Sequence, residues 1–147
     1  MPRIVRNADV TWEGNVARGN GSITAGTGAF EGLPFSLPTR IGEAQGKTSP
    51  EELLAAAHAG CFAMSLAGEL TGRDHAPERL EVKATVTMDE VAGKGHQIVR
   101  SEIEAVVTVS GVEADLLDEL ARAADEGCPF SALIRASAEV AVSARLS

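Results

Sequence analysis

The 147-residue sequence predicts an α+β fold with a mainly antiparallel sheet and a long buried central helix, as one domain over residues 1–147. Three observations predict it. The opening third is Gly-rich and broken into short strand-like pieces. A capped segment from Leu53 to Leu70 is apolar or small at almost every position. The segments that follow it alternate apolar and polar residues with the period of a strand.

In chain order, Val10-Thr11-Trp12 and Ile23-Thr24 are strand pieces, and Gly14-Asn15 and Gly19-Asn20-Gly21 are turn material. Leu33 to Arg40 carries Pro34 and Pro38, which exclude a helix and favour extended chain. Ser49-Pro50-Glu51-Glu52 is the clearest helix start, with Ser49 as N-cap, Pro50 at the first helical position, Glu52 placed to complete a capping box and both acids at the positive end. This helix runs to about Leu70, and Gly72 ends it. No charge interrupts it between Leu53 and Glu69. A helix apolar on all faces is a buried helix, and in so small a chain full burial points to a second subunit.

Leu80, Val82, Ala84, Val86 and Met88 alternate with polar residues, as do Ile103, Ala105, Val107 and Val109. A turn at Gly93-Lys94-Gly95 joins these two strands as a hairpin. A second helix spans about Glu113 to Asp125, with Gly127 as its stop. Cys128-Pro129 opens a short helical segment to about Ala136. A last strand carries Ala138, Val140, Val142, Ala144 and Leu146 on one face.

A formal net charge of -8, without any Lys/Arg cluster, argues against nucleic acid as a partner. The N-terminal stretch has no apolar run of signal-peptide length, and Leu53 to Gly68 reads as too short and too weakly apolar to span a membrane, so the expected location is cytoplasmic. No close-set ligand pair or Gly-rich phosphate loop is present, so neither metal nor organic cofactor is implied.

Two cysteines remain, Cys61 and Cys128. In a reducing compartment they are either inert core residues or redox chemistry, and counting alone favours the inert reading. Cys61 sits in mid-helix, where desolvation raises a thiol pKa, so a nucleophilic role needs a positive partner. His58, three residues earlier, and Arg40 are the two candidates. Cys128 stands at an N-cap, where backbone amides and the helix dipole favour a thiolate.

The run Thr48 to Phe62, with Gly127-Cys128-Pro129-Phe130-Ser131 far downstream, resembles the osmotically inducible protein family, OsmC, and its organic-hydroperoxide-resistance relatives, Ohr. The likeness extends to Trp12-Glu13-Gly14, to Thr39-Arg40 and to the total length; His58 and the Trp12 opening lean towards the OsmC branch. The resemblance implies an intertwined homodimer with two sites at the subunit interface, acting on organic hydroperoxides and more slowly on hydrogen peroxide. It makes Cys61 the peroxidatic cysteine and Cys128 the resolving one, with Arg40 holding thiolate and peroxide and Glu51 orienting Arg40. A dithiol, of the lipoyl type in the Ohr branch, regenerates the enzyme. Phe130 departs from the smaller apolar residue found in many members.

Glu51 and Cys61 are ten residues apart on one helix, roughly 15 Å of rise. The expectation is therefore that the partner subunit supplies Arg40 or Glu51 to a given Cys61, or that Arg40 lies along the helix. His58 reads as a packed, hydrogen-bonded histidine, because the Ohr relatives lack it. His75 and His96, beside turns, read as solvated. Phe62 and Phe130, next to the cysteines in sequence, are candidate walls of an apolar substrate pocket. Two competing readings are an amphipath-binding protein with Cys61 as incidental core, and a disulfide redox sensor without sustained turnover.

Overall fold

A computed structural model describes all 147 residues, Met1–Ser147. The chain gathers into two compact units, Met1–Pro50 and Glu51–Ser147.

In the first unit, β1 (Ala8–Glu13), β2 (Asn20–Ala25) and β3 (Leu33–Phe35) form an antiparallel sheet in that order. Asn20 and Gly21, expected in a turn, belong to β2. Gly21 pairs with Trp12 on one side and Phe35 on the other, and the two rings meet with centroids 5.6 Å apart. A Cβ at Gly21 would enter the Phe35 ring, so the bare backbone makes room for the aromatic pair. The two prolines do not keep the next segment extended throughout, which corrects the sequence expectation. Pro34 lies in β3, but Leu37–Ile41 forms the short helix α1. Pro38 sits in its first turn, where a missing N–H costs nothing, and Ser36 caps it by accepting from the Thr39 amide at 3.4 Å.

In the second unit, α2 (Pro50–Gly72) starts and ends where Ser49-Pro50 and Gly72 predict. Within this one chain its full burial is limited to a stripe, His58, Phe62, Leu66 and Leu70, spaced four apart, with half-buried residues on either side. Ala56, Gly60, Met64 and Gly68 form an exposed stripe of their own. The helix is also long and apolar enough, by length and composition, to cross a membrane, with mean hydropathy 1.4, which corrects the reading of Leu53–Gly68 as too short and too weakly apolar. Phe62, Leu66 and Leu70 are fully enclosed in the protein core, which makes α2 a core helix.

β4 (Arg79–Val91) and β5 (Gly95–Thr108) form the expected hairpin, turning at Gly93 and Gly95, whose positive φ angles suit glycine. The register shifts between Thr87 and Met88, where Val99 is the extra residue of a bulge. α3 (Ala114–Gly127) and α4 (Pro129–Arg135) follow, and β6 (Glu139–Leu146) completes a sheet of order β4-β5-β6. β6 runs parallel to β5, because the chain returns through two helices instead of a tight turn. Ile103, Ala105 and Val107 of β5 meet Leu117, Leu120 and Ala124 of α3 and the α2 stripe in one core.

Candidate active site

The core of the second unit ends in sulfur. α2 carries Cys61 one residue before the core residue Phe62, and the α3–α4 junction carries Cys128, which is fully buried among Phe62, Leu66 and Leu120. Cys61 is half-buried and packs against this cluster. Both thiols are free. Sixty-seven positions apart in sequence, they come within each other's influence. Burial pushes the Cys61 thiol pKa up, and hydrogen bonding with Cys128 pushes it further the same way. The backbone of Phe130 opposes both, because an amide directed at the sulfur favours the thiolate.

Cys128 occupies the N-cap of α4 as its sequence predicts. Pro129 takes the first turn, and Cys128 Sγ accepts from the Ser131 amide at 3.5 Å. The α3–α4 junction is tied down twice more. The Ser65 hydroxyl of α2 donates to the Ala124 carbonyl at 2.7 Å, and Arg135 of α4 pairs with Asp125 of α3 at 2.5 Å.

His58 is fully buried, as the reading of a packed histidine predicts. Its Nδ1 lies 2.7 Å from Ser101 Oγ on β5, and its Nε2 lies 2.8 Å from Ser131 Oγ on α4. Burial lowers its pKa, with Asp125 raising it and Arg135 lowering it to lesser degrees. A neutral ring with both nitrogens engaged is not the positive partner that Cys61 needs. The two serines were missed by sequence reasoning, though each left a signal. Ser101 shares the inward register of Ile103, Ala105 and Val107, and a polar side chain there needs a buried partner. Ser131 is the third residue after an N-cap, where a side chain turns back towards its neighbours.

Arg40 lies in the last turn of α1 in the first unit, exposed, beside Trp12, Val16, Phe35, Ser36 and Leu37 around an open cavity of about 210 Å³. Glu51 lies in the first turn of α2, half-buried. Phe130 is 37% exposed next to Cys128, whereas Phe62 is enclosed in the core. His96 is exposed as expected, and His75 is half-buried beside Gly111. No group of three or more His, Cys, Asp or Glu residues is placed to hold a metal ion.

Comparison with known proteins follows the same lines. Residues 42–143 match the OsmC-like protein family. The chain is 33% identical over 133 residues to Peroxiredoxin OsmC of Escherichia coli (strain K12), covering 90% of this chain and 92% of that protein, and equally similar to Peroxiredoxin OsmC of Shigella flexneri. Among solved structures, the organic hydroperoxide resistance protein OhrB of Bacillus subtilis superposes with a TM-score of 0.71 at 26% identity, over 95% of this chain and 98% of that one. An organic hydroperoxide resistance protein OsmC from Legionella pneumophila gives a TM-score of 0.76 at 22% identity, over 97% and 98% of the two chains, and speaks for the fold. With the family matched across most of its length and both cysteine segments in their expected elements, the chain belongs to the OsmC-like family.

Proposed function

We propose that this protein is a cysteine-based peroxidase that reduces organic hydroperoxides, and hydrogen peroxide more slowly, in stress defence. The observation that carries this reading is the packing of Cys61 against the core cluster that holds Cys128, both thiols being free. Peroxide and organic hydroperoxide chemistry is further supported by the names of the relatives.

In this reading the Cys61 thiolate attacks the distal oxygen of the hydroperoxide. The O–O bond breaks, an alcohol leaves with one proton, and Cys61 becomes a sulfenic acid. The Cys128 sulfur then attacks the Cys61 sulfur, an S–S bond forms and water leaves. A dithiol of the lipoyl type reduces the disulfide to two thiols and is itself oxidised. Burial and Cys128 both hold Cys61 protonated, so the first step needs a cation. His58 is neutral, and the family resemblance assigns Arg40 to hold thiolate and peroxide, with Glu51 orienting it. Phe130 offers apolar surface to an alkyl chain, and Phe62 backs the sulfurs from the core. The reading includes a cytoplasmic homodimer of one-domain chains.

The test is the loss of free thiols after stoichiometric cumene hydroperoxide or hydrogen peroxide, in wild type and in Cys128→Ser. The expected result is fast loss of both thiols with the organic peroxide, slower loss with hydrogen peroxide, and a trapped sulfenic acid in the variant. Thiols that survive both peroxides would overturn the proposal.

A further inference from the structure

His58 is a fully buried ionisable side chain to which the two-cysteine chemistry assigns no task. It stands on α2 three residues before Cys61, so it lies almost one helical turn from the reacting sulfur. Its two nitrogens are spent on Ser101 at 2.7 Å and Ser131 at 2.8 Å, and both serines are fully buried. One ring therefore ties together α2, β5 and the first turn of α4. With both nitrogens bonded, the ring is held in place and has no atom free to take a proton from Cys61.

The same first turn of α4 serves both sulfurs. The Ser131 amide donates to Cys128 Sγ, and the Phe130 backbone lowers the pKa of the Cys61 thiol. Ser131 is thus gripped by His58 through its hydroxyl while its amide holds Cys128. Movement of Ser131 would shift Cys128 with it.

We infer that His58 is a positioning residue for disulfide closure, which through Ser131 holds Cys128 in attacking distance of Cys61 and governs the second step of the reaction and not the first. This rests on the peroxidase reading. Disulfide geometry is narrow, with Cβ atoms about 3.5–4.5 Å apart. A loosened α4 therefore lengthens the life of the Cys61 sulfenic acid. A second hydroperoxide then oxidises it to sulfinic acid, releasing a second alcohol, and the enzyme is lost.

The experiment compares wild type, His58→Leu, His58→Gln and Ser131→Ala in rapid mixing with cumene hydroperoxide. Dimedone-trapped sulfenic acid, disulfide and sulfinic acid are resolved by mass spectrometry. The expected split is sulfenic acid formation within about twofold of wild type, and closure slowed by about tenfold or more in His58→Leu and Ser131→Ala, because small misplacements cost large factors. Sulfinic acid should accumulate in excess peroxide, and His58→Gln, which can still bond a serine, should recover part of the closure rate. Unchanged closure in all variants, or an equal fall in both steps, would overturn the inference. If His58→Leu fails to fold, Ser131→Ala decides alone, since it removes one hydroxyl. Disulfide formation driven by diamide is measured in parallel. It needs no peroxide, so slow closure there with an inert wild type towards peroxide would sink the peroxidase reading and leave the positioning role standing.

Discussion

His58 Nε2 and Ser131 Oγ lie 2.8 Å apart, joining α2 to α4 across 73 positions of sequence. The bond sits inside the protein, since both residues are fully buried. Breaking a buried pair leaves its partner unsatisfied, at about 1–3 kcal/mol. The two cysteine segments are therefore fastened together by a polar contact beside the sulfurs as well as by the apolar core around them.

The neutral state of His58 gives the fold a particular acid sensitivity. Desolvation holds its folded-state pKa below the ordinary value, with Asp125 opposing and Arg135 assisting. An unfolded histidine takes up its proton near about pH 6.5. Between the two values the unfolded chain binds more protons, so this contribution to stability is fully present above that pH and is lost as pH falls through the window below it. Urea midpoints measured stepwise from about pH 7.5 to about pH 5 should fall. His58→Gln should lack that part of the decline, and equal slopes in the two proteins would contradict the prediction.

Cys61 responds to pH in the opposite range. Burial first, and Cys128 second, raise its pKa, while the Phe130 backbone pulls it down. Without the cation that the peroxidase reading assigns to Arg40, in Arg40→Ala, alkylation by iodoacetamide should thus climb through the alkaline region instead of levelling near neutrality, because the thiolate is the nucleophile. Cys128→Ala removes the second cause and leaves desolvation in place. The profile should move to lower pH, and an unmoved profile would mean that Cys128 does not touch the Cys61 titration.

Much of this arrangement is legible in the sequence. Ser49-Pro50 and Gly72 mark the ends of α2, the alternation of Leu80–Met88 and Ile103–Val109 marks the hairpin, and Cys128-Pro129 marks an N-cap. Each signal is local, so each can be read from neighbouring residues. What was not legible is long-range or depends on position within an element. Pro38 argued against a helix, yet a proline in the first turn is compatible with one. The period-2 pattern of β6 says nothing about strand direction, and its parallel pairing with β5 came from the crossover. The approach of Cys61 to Cys128, and the grip of His58 on Ser101 and Ser131, join elements far apart in sequence.

Leu66 tests the core that carries both sulfurs. It is fully buried in the α2 stripe, among Phe62, Leu120 and Cys128. Leu66→Ala should cost about 2–5 kcal/mol, the transfer of the lost carbons plus the cavity they leave. Denaturant unfolding followed by circular dichroism measures this, and a loss well below that range would mean that the site collapses around the smaller side chain.

Gly21 makes a comparable test of the first unit. Trp12 is the only tryptophan, so its fluorescence reports this unit alone. Its indole N–H donates to the Gly14 carbonyl at 2.8 Å, and its ring faces Phe35. Gly21→Ala should displace Phe35, shift the emission to longer wavelength and destabilise the protein by about 1–3 kcal/mol, the usual cost of overpacking. Unchanged emission would mean that the ring pair absorbs the methyl group.

The exposed side of α2 bears on assembly. Met64 is 73% exposed, and Cβ atoms placed on Gly60 or Gly68 of the same stripe would meet nothing. A stripe this apolar on a core helix is a surface that a second copy can cover, and its small residues let another backbone approach closely. The expected solution state is a homodimer by sedimentation. Met64→Glu places a charge in that surface, and leaving it unpaired in a dry interface would cost enough to shift the protein towards monomer. Because the Met64 side chain points away from the enclosed stripe of its own chain, the variant should keep its helical circular dichroism. Monomeric wild type, or a dimer indifferent to Met64→Glu, would remove this face of α2 from the interface.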